Sequence, residues 1–376
     1  MLKTPFCITL GFLLAIGPQF IWAQTMVNPD ISLIGDVRLS VHNNDESNPE
    51  RAEKPILDFH ELEIAATGYL NPFARADIFL GIHGVEGPIE VEEAYMTLLR
   101  GLPLGLQMKA GQYLADFGRL NTQHPHQWSW MERPLMFQEI FGEDGLKDVG
   151  LGLSCLVPLG NTAWVVSATM LKTGGLSTHH HHHAEDGDGD EHEVTQPDMA
   201  ALSRVSAFVP LGETTFLETG ASLLRGEHEP AENRYATLAN FDFKLKWRPD
   251  IYRSLTLVGE ILSNFRTVRA GESHEDSASL HGETSDVRSF GTFSAVDYQF
   301  RRRWNVGAFH DYTQGAEDEN VYHCGYGIFA GFALAEETSR FGFVLRRHEG
   351  SDISDPFYSA TLQFLWSLGP HKPHPF

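Results

Sequence analysis

Residues 179–193 read HHHHHAEDGDGDEHE: His179, His180, His181, His182 and His183 run directly into Glu185, Asp186, Asp188, Asp190, His192 and Glu193. Neutral imidazole and carboxylate oxygen are ligands of zinc and other borderline divalent ions. Histidine titrates near about 6.5, so much of this imidazole is ligand-competent at pH 7. Gly174-Gly175, Gly187 and Gly189 flank and interrupt the run. Such a segment suits loose, exchangeable capture better than a fixed tetrahedral site, whose ligands must themselves be held in place. DGDGDE opens like a calcium loop, but Glu191 stands where that loop needs glycine and Pro197 where it needs glutamate. A solvated hydrophilic loop that holds no ion is the other reading of the same residues.

A segment of this kind needs a scaffold, and the spacing of apolar residues supplies one. In YATLANFDFKLKW (235–247), Tyr235, Thr237, Ala239, Phe241, Phe243, Leu245 and Trp247 share one face, and Asn240, Asp242, Lys244 and Lys246 the other. FYSATLQFLWSLG (357–369) alternates in the same way. Period two is the strand signal, and sixteen such segments fall between residues 32 and 368. Each is close to the ~9–11 residues with which a tilted strand crosses a bilayer. Their connections alternate: short turns such as Asn71-Pro72-Phe73 and the two VPLG turns, then longer polar loops such as 114–147 and 172–199. Short turns on one side and long loops on the other are the pattern of an outer-membrane barrel. A soluble sandwich would hide its apolar faces in one core. Here each strand keeps one apolar and one partly polar face, with Trp247, Tyr298, Trp304, Tyr358 and Trp366 near the ends as interfacial girdles.

The expected fold is therefore all-β: a porin-like antiparallel transmembrane β-barrel of about sixteen strands, in the bacterial outer membrane with lipid and lipopolysaccharide around it. Residues 1–23 read as a secretory signal peptide, with Lys3, an apolar run and a small-residue cleavage site before Gln24. Residues 24–376 then form the barrel. No later apolar run reaches the roughly 18 residues of a membrane helix. The formal charge of −22 argues against nucleic acid as a partner. Cys155 and Cys324 alone remain beyond the leader, too few for a disulfide scaffold. Catalytic signatures (GxSxG, HExxH, a phosphate loop, CxxC) are absent from the sequence, so no enzyme is expected.

VNPDISLIGDVRLSVHNN, VEEAYMTLLRGLPLGLQMKAGQYLADFGRLNTQHPHQW and the ending SLGPHKPHPF resemble a family of bacterial outer-membrane proteins labelled zinc-regulated, TonB-dependent receptors. KAGQYLADFG (109–118) is also similar to a turn region of phosphate-selective porins. These resemblances imply an outer-membrane transport protein, a third loop (114–147) that folds inward, and trimers as one assembly open to it. A TonB-dependent receptor carries a plug ahead of a 22-stranded barrel. Here the first strand begins almost at the mature N-terminus, so no separate plug domain is expected.

With that topology, every histidine except His371 and His374 lies on the outer side. Lumen parity in the first strands gathers Glu61, Glu63, His83, Glu90 and Glu92 at one wall of the outer mouth, with His42 at the same height and Lys109 on the lumen side of the fifth strand. Converging carboxylates and imidazoles concentrate cations, although porin lumens are polar in any case. The inward loop brings His124, His126, Trp128, Glu132 and Arg133 to the constriction. The functional expectation is a channel for small polar solutes, with divalent metal, zinc above all, captured and passed as cargo and no cofactor required. A generic or anion porin of the phosphate type is the alternative. A barrel that merely anchors a surface metal-binding or adhesion protein is a third.

Overall fold

Period-two patterning needs two environments on the two faces of one sheet, and the chain creates them by closing that sheet on itself. A computed structural model describes residues 29–43, 54–84, 87–172, 176, 199–229, 234–269, 284–334 and 338–370. Sixteen antiparallel strands form one closed barrel: β1 (Asp30–His42), β2 (Ile56–Asn71), β3 (Ala74–His83), β4 (Ile89–Leu98), β5 (Gln107–Leu114), β6 (Lys147–Leu159), β7 (Thr162–Leu171), β8 (Ala200–Pro210), β9 (Thr215–Glu229), β10 (Arg234–Trp247), β11 (Ser254–Arg269), β12 (Thr284–Arg301), β13 (Trp304–Gln314), β14 (Tyr322–Ala333), β15 (Ser339–Gly350) and β16 (Phe357–Leu368). Each strand pairs with its neighbours in sequence, and β1 closes onto β16 from Leu33 opposite Leu368 to His42 opposite Ser359. The expected antiparallel barrel is the fold observed. The leader segment 1–23 and the histidine run 179–193 lie outside the described residues.

The exterior is apolar. Leu151, Leu153, Phe241, Phe243, Ile261 and Leu362 are 37–51% exposed on outward-facing positions. A soluble surface of this kind would aggregate; facing lipid it is the stable solution, because a closed barrel leaves no backbone group unpaired in hydrocarbon. Trp247, Tyr298 and Trp304 mark the short-turn rim and Tyr358 the long-loop rim. Short turns are set by local chemistry: the Asn71 side-chain oxygen accepts from the backbone N–H groups of Phe73 and Ala74 at 2.8 and 3.0 Å. Strands run further than the alternation suggested at the outer ends. β9 reaches Glu229 and β11 reaches Arg269. There both faces become polar and the period-two signal fades, while ladder hydrogen bonds continue regardless of side-chain type.

The interior is divided. Asp36, Glu63, Asp77, Asp242, Glu260 and Gln363 are buried lumen-side groups. Leu202, Leu224, Leu238, Leu262, Phe293 and Phe329 are also lumen-side, and they are buried because the 115–146 segment packs on them from inside the barrel. That segment contains two single 3-10 turns and one short α-helix, α1 (Leu135–Phe141), lying against β12 and β13. Asn121 ties its two ends together: its Nδ2 donates to the carbonyls of Ala115 (2.8 Å) and Leu146 (3.1 Å), and its Oδ1 accepts from the Leu146 N–H at 2.8 Å. Glu260 accepts from the N–H groups of Arg119 and Leu120 at 3.2 and 3.1 Å.

Where β5 runs past β4 toward this segment, Gly111 holds φ = +136°, and a Cβ there would lie 2.2 Å from the Ala94 carbonyl oxygen. Gly111→Ala therefore combines a backbone geometry worth about 1–3 kcal/mol of strain with a backbone collision. A clear drop is expected in the temperature at which the folded band of an unboiled gel converts to the unfolded one. An unshifted transition would mean that the strand can re-register around the methyl group.

Candidate functional site

Three adjacent strands build one acidic wall. β2 pairs with β3 so that Glu61 faces His83 and Glu63 faces Gly81. β3 pairs with β4 through a bulge: Phe79 faces Glu93, Leu80 faces Val91, and Glu92 is the extra residue between them. A bulge leaves two residues opposite one and re-aims side chains. Glu92 and Glu93, which strict alternation would send to opposite faces, both turn inward. Glu92 lies over Gly81, where a Cβ would fall 2.5 Å from its Oε1; the missing side chain makes room for the carboxylate.

The loop completes the wall. His124 sits in a tight turn closed by Gln127 N–H donating to its carbonyl at 3.0 Å, and its ring stacks on Phe79 (5.3 Å between centroids) and on His126 (5.7 Å). Its Nδ1 lies 3.2 Å from Glu63 Oε2 and 3.1 Å from Glu92 Oε2. On the other side, Nε2 is 3.0 Å from Glu93 Oε1. Glu93 is anchored in turn, since its Oε2 accepts from the Leu114 N–H at 3.0 Å and lies 4.0 Å from Lys109 Nζ. Lys109 is seated between the rings of Tyr95 and Tyr113, 3.7 and 4.0 Å from their centroids. His83 Nε2 stands 3.6 Å from Glu92 Oε1, and His126 Nδ1 3.6 Å from Glu63 Oε2. Burial alone would depress the pKa of His124, but the carboxylates of Glu63, Glu92 and Glu93 outweigh it and hold the imidazole well above its ordinary value. Glu61, Glu63 and Glu93 are each at most 6% exposed, a concentration of buried carboxylate that calls for cations.

Cavities open on both sides of this wall. The outer one, about 1430 Å³, is lined by Asp58, His60, Glu61, His83, Glu90 and Glu92 among others, and reaches His124. A smaller one of about 170 Å³ on the short-turn side is lined by Glu63, Glu93, His124 and His126. His124 belongs to both. Further round the lumen, also on the short-turn side, a cavity of about 420 Å³ is lined by Arg119, Lys244, Lys246, Arg303 and Arg340, together with Asp297. The lumen is thus acidic along β2–β4, and a basic cluster lines this third cavity.

One expected member of the wall sits elsewhere. His42 is not at its height: Asp36 is the β1 residue opposite Glu61, and His42 lies further out, beside the Phe357 ring at 6.5 Å. Strand stagger in a tilted barrel separates residues that chain counting places level. Glu90 pairs with Gly81 and lines the outer cavity together with Glu61, His83 and Glu92, of which Glu92 makes the closer approach to His83. In the loop, Trp128 is 2% exposed and packs in the apolar cluster, its indole N–H donating to Gln123 at 2.8 Å. Glu132 pairs with Arg346. Arg133 donates to the Glu143 carbonyl at 2.9 Å, and burial pulls its guanidinium down to about 10. Residues 179–193 lie outside the described part of the chain. Glu93 was missed by the period-two reading, and a signal for it existed. In a membrane strand two consecutive glutamates cannot alternate without one facing lipid, so Glu92-Glu93 itself calls for a bulge.

No family model matches the chain. An uncharacterized protein of Aquifex aeolicus (strain VF5) is 27% identical over 318 residues, covering 76% of this chain, and the chain spans 64% of that protein's length. Among solved structures, the barrel is similar to the anion-selective porin from Comamonas acidovorans (9% identity, 90% of this chain and 100% of that one, TM-score 0.56). It is similar as well to Pseudomonas putida OprB (11%, 91% and 94%, TM-score 0.56) and to the trimer form of Vibrio cholerae OmpT (7%, 91% and 100%, TM-score 0.54). None of these is named for zinc or for a TonB partner. What they share with this chain is the fold, the sixteen-stranded barrel of outer-membrane porins.

Proposed function

We propose that the protein is an outer-membrane channel for small polar solutes that favours divalent metal cations, zinc foremost. The observation that carries this is the imidazole–carboxylate wall of Glu61, Glu63, His83, Glu92, Glu93 and His124, set where the outer cavity meets the inner one. Imidazole with carboxylate selects borderline divalent ions over alkali ions. Because the ligands lie on the route rather than in a closed cage, an ion held there can leave again, as conduction requires. A protonated imidazole cannot ligate, so metal and proton compete for His124 and metal loading strengthens as pH rises. In this reading the run His179–His183 with its acidic neighbours collects ions outside and raises their concentration at the mouth. Assembly as a homotrimer goes with it, by likeness to the trimer form of OmpT.

The basic cavity around Arg119, Lys244, Lys246, Arg303 and Arg340 favours a second reading, an anion porin like the Comamonas protein. Reversal potentials of the purified protein in planar bilayers under a salt gradient separate the two. Cation selectivity with conductance reduced by micromolar zinc is the expected result. Anion selectivity would establish the second reading, and no conductance at all would leave a barrel that anchors a surface metal-binding or adhesion segment. Deleting 179–193 is expected to lower zinc binding in calorimetry and zinc-limited growth of the host while conductance stays normal. If binding and growth are both unchanged, the run is not a collector.

A further inference from the structure

The wall has a finer structure than a patch of negative charge. We propose that Glu92 bridges two adjoining divalent-cation sites, an outer one completed by Glu61 and His83 and an inner one completed by Glu63 and His124. This deepens the channel reading and depends on it only for the role of the ions as cargo.

The two oxygens of one carboxylate point to two imidazoles: Oε1 lies 3.6 Å from His83 Nε2 and Oε2 3.1 Å from His124 Nδ1. In each trio the three ligand atoms all lie within 4.8 Å of one another. A tetrahedral zinc with bonds of about 2.0–2.1 Å has ligand-to-ligand edges of about 3.3–3.4 Å. The inner trio already shows edges of 3.1 and 3.2 Å from Nδ1 to the two glutamates. A single proton on Nδ1 can be aligned with only one of those two oxygens; a metal ion satisfies both.

The back of the imidazole gives an independent indication. His124 Nε2 faces Glu93 Oε1 at 3.0 Å, and Glu93 is fixed by the Leu114 N–H. Metal-bound histidines characteristically donate their other ring N–H to a carboxylate, which sets the tautomer and aims the free nitrogen. Here that nitrogen is aimed at Glu63 and Glu92. The bulge at Glu92 and the bare Cα of Gly81 are what allow one carboxylate to serve both sides.

Two ions sharing a carboxylate sit about 3.5–4 Å apart and repel, so the arrival of one in the outer site hastens departure of the other from the inner. The placement suits that sequence: Glu61, His83 and Glu92 line the outer cavity, and Glu63 lines the inner one. Mixed nitrogen and oxygen ligands favour zinc and its first-row neighbours over calcium or magnesium.

The test is calorimetry of the full chain in detergent with zinc chloride, comparing variants that all keep the histidine run so that its contribution cancels. His83→Ala and His124→Ala are each expected to lose one ion per chain, and Glu92→Gln two. Should Glu92→Gln fail to give the folded band in unboiled gels, Glu61→Gln and Glu63→Gln serve instead. Each then weakens one site by at least tenfold and spares the other. Wild-type stoichiometry and affinity in Glu92→Gln, or losses in the two histidine variants that prove to be the same single ion, would overturn the paired sites. That failure is distinct from failure of the channel reading, which shows as absent conductance in wild-type protein whatever the stoichiometry.

Discussion

A chain in which residues 117–144 are replaced by a short glycine-serine link is expected to conduct several-fold more current than the wild type and to show a weaker preference for zinc. Sixteen strands enclose a lumen wide enough for an aqueous channel, and here the loop occupies it. Phe117, Trp128, Met136 and Phe137 are at most 2% exposed inside the barrel, and the cavities of about 1430, 420 and 170 Å³ are separate because that segment lies between them. Without it they merge. The carboxylates of Glu61, Glu63, Glu92 and Glu93 remain on β2–β4, so monovalent cation selectivity should persist; His124 leaves with the loop, so the inner imidazole is gone. The deletion has a cost. Leu224, Leu238 and Leu262, now fully buried, would face water, at about 25 cal/mol per Å² of apolar surface exposed, and the thermal transition of the folded band should fall. Single-channel recordings give the answer. Unaltered conductance would show that ions already pass the loop without hindrance.

The same residues show how much of this was legible in the sequence. Alternation along 235–247 and 357–369 marked strands, because one face meets lipid along its whole length, and short turns alternating with longer loops marked the barrel. Glu61, Glu63, His83, Glu90 and Glu92 were placed on one wall by parity, and the structure groups Glu61 and His83 with Glu92, sets Glu63 beside Glu92, and keeps Glu90 on the outer cavity. The reading failed where the period itself breaks. At Glu92 a bulge adds one residue, which brings Glu93 inward beside it. Stagger moved His42 away, since a tilt angle leaves no trace in one strand's pattern. Lumen-side leucines on β9–β11 carried no message about their partner. An apolar residue on an inward position records that something covers it, and only the structure shows that the cover is the 115–146 segment. His124 was assigned to the loop, but its contact with Glu63 spans 61 positions of chain and has no local signature.

Asp311→Ala should unseat that cover more sharply than Asp311→Asn or Glu132→Ala. Asp311, on β13, is 1% exposed. Its two oxygens accept from the N–H of Leu135, the first residue of α1, at 3.1 and 3.0 Å, and Oδ2 accepts from Arg346 at 3.2 Å. Arg346, itself 3% exposed, also pairs with Glu132 of the loop and lies 5.5 Å from the centroid of the Phe309 ring. Alanine leaves the start of α1 without its acceptor and the guanidinium with Glu132 alone, whose side chain is 44% exposed. Removing one partner of a buried ion pair costs roughly 3–5 kcal/mol, and an exposed pair is worth about 0–1 kcal/mol. The ordering follows: Asp311→Ala lowers the thermal transition most, Asp311→Asn less because its carbonyl oxygen still accepts from Leu135, and Glu132→Ala least. In bilayers the alanine variant should flicker between the wild-type level and the larger one of the loop deletion, as the segment leaves and re-enters its seat. Quiet single-level recordings from that variant, with an unshifted thermal transition, would mean that apolar packing of Phe137, Met136 and Trp128 alone holds the loop. The carboxylate would then serve only to neutralise Arg346.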